Sequence, residues 1–180
     1  MSHALVIVDF QNDFALPDGA LAVPDGHEIA PHVNAHAASG DYALVVATRD
    51  WHPGEHGSFA AHGGPWPQHC VADTPGAELH PELETGGVDL VVDKGQDHGT
   101  DGYSAFDGTG LADLLRKRGI ERLTVVGLAT DYCVYHTVLD ALREGFEVRV
   151  DPAAVRGVDV RPGDSERALR ELRDAGAKVG

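Results

Sequence analysis

Positive charge is scarce in this chain, and so are cysteine and long apolar runs. Lysine and arginine together number 14 against 29 aspartates and glutamates, giving a formal charge of −15. Such a surplus repels phosphate backbones and anionic lipid headgroups, which argues against nucleic acid or a membrane surface as a partner. The first apolar run, Ala4 to Val8, is cut off by Asp9, far short of a membrane span or the core of an export signal. The expected location is the cytoplasm. Cysteine occurs twice, at Cys70 and Cys133, far apart in a chain expected to stay under reducing conditions, so a structural disulfide is not expected. Each thiol needs its own explanation. A glycine-rich turn after the first apolar run is also missing: VDFQNDF offers nothing to cradle a phosphate, which counts against a nucleotide-binding module. No internal repeat and no low-complexity tract is present.

What the chain does have is length for one domain, 1–180, able to bury a core without covalent staples. Short apolar, β-branched runs alternate along it with segments of helical period. Ala4–Val8, Ala43–Ala47, Val88–Val92, Leu123–Val126 and Glu147–Val150 predict at least five strands, the first three almost wholly apolar, as parallel strands buried on both faces must be. Between them, Glu28–Ser39, Leu111–Arg118, Asp131–Glu144 and Ser165–Ala175 predict helices, several closed by a following glycine. The alternation points to βαβ units and a parallel sheet. One long irregular stretch, Arg49 to Gly87, is rich in Gly, Pro and His, and a loop of that length inside a compact domain is usually functional.

Ligands of open α/β sheets bind beyond the carboxyl ends of the strands. Asp9 follows the first strand, Asp50 the second, Lys94 the third, and Cys133 opens the helix after the fourth. Cys133 lies in GLATDYCV, where Thr130 can cap a helix starting near Asp131 and place the sulfur in its first turn. The unpaired amides there, with a nearby ammonium, would lower the thiol pKa toward neutrality and favour a nucleophilic thiolate. Lys94 is one of only three lysines, the others being Lys117 and Lys178. Its compact ammonium can hold a carboxylate, from Asp9, and a thiolate together where a planar guanidinium fits poorly.

The long loop adds a second constellation, Asp50-x-His52-x-x-x-His56, followed by His62 and His69. A carboxylate with three imidazoles suits zinc, iron or manganese and leaves coordination positions open. The chain has eleven histidines, so part of this cluster could be compositional, and spacing does not choose between His62 and His69. Cys70, beside His69, reads as a packed thiol rather than a ligand.

Taken together, VIVDFQNDF, TRDWHPGEHGSF, WPQHCV, DKG, YSAF and GLATDYCV resemble the nicotinamidase/pyrazinamidase family within the isochorismatase-like cysteine hydrolases, over nearly the whole chain. The resemblance implies a three-layer α/β/α sandwich with a mainly parallel sheet of five or six strands. It implies Asp9, Lys94 and Cys133 as a catalytic triad, and Asp50, His52, His56 and His69 as ligands of one divalent transition metal, zinc first, with iron or manganese as alternatives. Phe14 and Trp66 would wall a flat heteroaromatic ring, with Tyr103 nearby, and the Leu128–Ala129 peptide would be cis. Two departures stand out: the Gly- and Asp-rich QDHGTDG after Lys94, and Tyr132 beside the nucleophile, where relatives vary.

The expected reaction is hydrolysis of nicotinamide or pyrazinamide to the acid and ammonia through a thioester. Asp9 takes the proton of Cys133, Lys94 steadies the charges, and the backbone amides of Ala129 and Cys133 receive the oxyanion. The alternative is a related hydrolase acting on a linear amide or carbamoyl group. The expected partner is the small-molecule substrate, bound by a monomer or a homodimer.

Overall fold

The computed structural model describes residues 2–180. Six strands form one sheet: β1 (Ser2–Val8), β2 (Leu44–Asp50), β3 (Leu90–Lys94), β4 (Ile120–Leu128), β5 (Glu147–Arg156) and β6 (Lys178–Val179). Their order is β3-β2-β1-β4-β5-β6, and every neighbouring pair runs parallel. The helices are α1 (Asn12–Ala15), α2 (Ala30–Ala38), α3 (Leu111–Lys117), α4 (Tyr135–Arg143) and α5 (Asp164–Asp174).

Residues 4 to 8 of β1 are apolar without a break because both faces of the strand are covered. Ala4, Val6 and Val8 pack toward Leu111, Leu115, Val134, Val138 and Leu172 from α3, α4 with the turn before it, and α5. Leu5 and Ile7 point the other way, toward Ile29 and Val33 at α2 and toward Phe10 and Phe14. This alternation makes the three layers. Each fully buried Leu or Ile on these faces contributes about 1.5–3 kcal/mol relative to exposure.

Four details differ from the sequence expectation. β6 has two residues, one of them Lys178, too few to carry a sequence period, and is defined only by its pairing with Arg149 and Val150. The helix expected over Glu28–Ser39 begins as a 3₁₀ turn, Gly26–Ile29, and becomes α2 at Ala30, where Pro31 sits in the first turn and its missing N–H costs nothing. The helix expected from Asp131 starts with a π-helical turn, Thr130–Val134, before α4. Thr130 is therefore inside that turn rather than capping it; Ala129 holds the N-cap position and no side chain bonds the turn's amides. Asp131 instead accepts the backbone N–H groups of Val158 and Asp159 at 2.9 and 2.8 Å, tying the turn to the connection between β5 and α5.

The sheet's order reverses between β1 and β4, and that switch point opens a crevice at the carboxyl ends of the strands. Among the described residues no helix is long and apolar enough to cross a membrane.

Candidate active site

Asp9 follows β1 with φ of +48°, a left-handed conformation that Asp tolerates better than bulky residues. Its carboxylate is fully buried: Oδ1 accepts the Thr48 hydroxyl at 2.7 Å and Oδ2 lies 2.8 Å from Lys94 Nζ. Lys94 ends β3 and is equally buried. Its Nζ donates to Asp50 Oδ1 at 2.6 Å and to the Gly102 carbonyl at 2.7 Å, while its approach to Asp9 Oδ2 is an ion-pair contact that leaves that oxygen without a hydrogen bond. Cys133 Sγ lies 3.6 Å from the same nitrogen. Ligand atoms of Asp9, Asp50 and Cys133 all fall within 4.8 Å of one another.

Burial raises the Asp9 carboxyl above its ordinary range even against the pull of Lys94. For Lys94, burial alone would lower the ammonium, but Asp50 and Asp9 hold it well above the lysine value. Asp50 shows the complement: burial would raise it, yet Lys94 and then His52 keep it far below the carboxylate range. The thiol of Cys133 corrects the sequence expectation. Burial raises it well above the free-cysteine value, and Lys94 does not offset that together with Asp9 and Asp50. The sulfur therefore sits where two buried carboxylates oppose its ionisation and one ammonium favours it.

The metal-ligand candidates are held from behind. His52 Nδ1 donates to the Gly95 carbonyl at 2.7 Å and His69 Nδ1 to the Pro67 carbonyl at 2.8 Å, leaving both Nε2 atoms bare. Those atoms face Asp50 Oδ2 at 3.3 and 3.9 Å. Asp50, His52 and His69 each offer a ligand atom within 4.8 Å of the others. His56 is not in that trio; its ring stacks on His52 with centroids 4.0 Å apart, and its buried Nε2 has no hydrogen-bond partner. An orphaned imidazole nitrogen beside two bare ones and a carboxylate fits a divalent transition metal. His62 stands apart and exposed, with His98 as its ring neighbour.

Gly95 and Gly102 are required by this arrangement. Both have positive φ, and a Cβ on Gly95 would lie 2.5 Å from the His52 ring, while one on Gly102 would lie 2.4 Å from Gly95 Cα. Cys70 is buried in the core below, its thiol raised by burial, and it joins no ligand cluster.

Phe14, Trp66 and Tyr103 all line one small cavity with Cys133, Asp50, His69 and Ala129. Trp66 Nε1 donates to the Tyr103 hydroxyl at 2.9 Å, and burial pushes that hydroxyl up to about 12. The Leu128–Ala129 peptide is cis, and Ala129 is among the residues lining the cavity. Three contributors escaped the sequence. Gln11 uses its amide to grip the backbone of Asp50 in both directions, at 2.8 Å each, and also bonds the Ala77 carbonyl. Thr48 orients Asp9, and Tyr132 forms a further wall. Only Tyr132 carried a signal, as a bulky residue beside the thiol; a polar Gln11 or Thr48 next to a strand end looks like any solvated terminus.

A parallel sheet between two helical layers, with a buried thiol beside an ammonium and two carboxylates at its carboxyl edge, defines an α/β protein of the isochorismatase-like class. The Isochorismatase domain matches residues 3–180, and the chain belongs to that family. It is 43% identical to the nicotinamidase of Escherichia coli, over 98% of this chain and 93% of that one. Among solved structures, a Pyrococcus horikoshii pyrazinamidase in complex with zinc is 46% identical with a TM-score of 0.90, covering 100% of this chain and 99% of the other. The PnC1 protein of L. infantum in complex with nicotinate is 39% identical with a TM-score of 0.95, over 99% and 92% of the two chains.

Proposed function

We propose that this chain is a nicotinamidase that also hydrolyses pyrazinamide, releasing ammonia and the aromatic acid. The observation that carries the reading is the shared cavity: Cys133, Asp50 and His69 line it together with the aromatic residues Phe14 and Trp66. The cavity is small, about 30 Å³, and Phe14, Trp66, Tyr103 and Tyr132 put four large aromatic side chains around it. The likeness to the Escherichia coli nicotinamidase and the Pyrococcus pyrazinamidase supports the same substrate class.

In this reading Asp9, its carboxyl raised by burial and its oxygen within 4.8 Å of the sulfur, is the general base for Cys133. Lys94 keeps its positive charge throughout and compensates the negative charge formed on sulfur 3.6 Å away. The thiolate attacks the amide carbonyl, and the Ala129 and Cys133 amides receive the oxyanion. Asp9 returns the proton to the departing ammonia, then takes one from the water that opens the thioester. Asp50, His52, His56 and His69 would hold a divalent transition metal, zinc first; when bound, such an ion supplies a Lewis-acidic contact for a ring nitrogen or a water. Thr48 and Gln11 fix the directions of Asp9 and Asp50. The proposed location is the cytoplasm.

The test is ammonia release by the purified protein from nicotinamide and pyrazinamide beside a panel of linear amides and carbamoyl compounds. Preference for the aromatic amides is the expected result. A linear amide turned over with a higher kcat/KM than either would overturn the assignment.

A further inference from the structure

The small cavity touches two surface clefts, and one tyrosine stands at each partition. Tyr103 lines both the cavity and the cleft that includes His136, Asp140 and Arg143. Tyr132 lines both the cavity and the cleft formed by Tyr135, Asp164, Arg167 and Glu171. In each case the tyrosine is the only residue the two linings share.

The two partitions are held very differently. Tyr103 accepts the Trp66 N–H at 2.9 Å and stacks on His136 with ring centroids 5.1 Å apart and planes 14° from parallel. Moving it breaks a hydrogen bond and a stack. Tyr132 makes only ring contacts: it meets Trp66 edge-on at 4.9 Å and Tyr103 tilted at 5.7 Å, with no hydrogen bond to its hydroxyl among the described residues. Aromatic contacts of this kind are worth about 0.5–1.5 kcal/mol each, and Tyr132 lacks the hydrogen bond that Tyr103 adds to its own. Tyr132 also precedes Cys133 directly, and a turn about its side-chain torsions leaves the backbone at the thiol in place.

We propose that Tyr132 is the residue that limits the acyl group to one ring, and that the cleft behind it is a latent subsite for larger carboxamides. With its ring in place the cavity ends there. Without it, the cavity joins the cleft bordered by Tyr135, whose hydroxyl donates to Glu171 at 2.8 Å, and by the Asp164–Arg167 ion pair. That border carries Asp131, Asp164, Arg167 and Glu171 beside the Tyr135 ring, so it disfavours an anionic group and leaves a fused second ring carrying a heteroatom as the occupant proposed. The inference rests on the amidase reading only for the reaction used to detect it.

The experiment compares kcat/KM for nicotinamide with that for a benzo-fused pyridine carboxamide of the same amide geometry, in wild type, Tyr132→Ala, Tyr132→Leu and Tyr132→Phe. The ratio of bicyclic to monocyclic kcat/KM should rise at least tenfold in Tyr132→Ala and to a smaller extent in Tyr132→Leu, and should stay within about twofold of wild type in Tyr132→Phe. Adding Tyr135→Ala to Tyr132→Ala should change the bicyclic rate more than the nicotinamide rate, which a general loosening of the fold would not do. Thermal melting identifies any variant that fails to fold, and Tyr132→Leu carries the test if Tyr132→Ala does. An unchanged ratio in a folded Ala or Leu variant overturns the partition. A wild type inert toward nicotinamide overturns the activity reading instead, and the ratio is then read from bicyclic and monocyclic acid binding by melting shift.

Discussion

Lys94 Nζ and Asp50 Oδ1 meet at 2.6 Å, and this contact joins the candidate catalytic groups to the candidate metal ligands. One oxygen of Asp50 compensates the ammonium while the other faces His52 and His69. The two constellations therefore share a charge balance: removing Lys94 leaves Asp9 without its ion-pair partner and Asp50 facing only His52, His69 and any bound metal.

Lys94→Met should destabilise the metal-free protein by about 3–5 kcal/mol, the usual result of breaking a buried ion pair on one side. Urea denaturation with and without added zinc measures it. The expected pattern is a large loss without zinc that zinc partly restores; a metal-free variant as stable as wild type contradicts the charge balance.

Cys133→Ala removes the proposed nucleophile and little volume, so turnover should fall by at least about a thousandfold with the melting temperature nearly unchanged. Ammonia release and calorimetry check both halves. Cys70→Ala should keep most activity, since its thiol is core packing without a ligand partner. A tenth of wild-type turnover left in Cys133→Ala would end the covalent mechanism.

Chelation should remove one transition metal per chain together with activity, and zinc, iron or manganese should restore it. By elemental analysis His69→Ala should lose most of the metal, and His62→Ala should keep it, because His62 lies on the surface away from Asp50. The reverse order would place the site elsewhere in the loop.

Gln11→Ala should cost about 1–3 kcal/mol, because it leaves the buried N–H and C=O of Asp50 without their partners. It should also lower metal affinity without touching a ligand. Isothermal titration with zinc reads that effect, and unchanged affinity in a destabilised variant would confine Gln11 to folding.

Much of this architecture could be read from the residues. Buried parallel strands must be continuously apolar, so Ala4–Val8 and the run before Thr48 announced themselves, and with them the edge on which Asp9, Asp50 and Lys94 stand. The sixth strand could not be read, since two residues carry no period. The π-helical turn was invisible because its residues suit an α-helix as well, and Thr130 therefore looked like a cap. The direction of the Cys133 shift was missed for an electrostatic reason: a sequence shows that an ammonium and a helix start are near, but not that the sulfur is fully enclosed with two carboxylates. Gln11 and Tyr132 depend on residues 39 and 66 positions away, contacts that no local pattern contains.

The strand that delivers Lys94 is one of the sheet's two edge strands, bonded to β2 alone, with Val91 on it 42% exposed. Edge elements with few buried contacts are the first to open in native-state fluctuations. The cation proposed to balance the thiolate is thus mounted on an edge strand, so warming should silence turnover before the global melt. Amide hydrogen exchange should show β3 losing protection well ahead of β1 and β4, and inactivation should follow the β3 amides rather than the global transition.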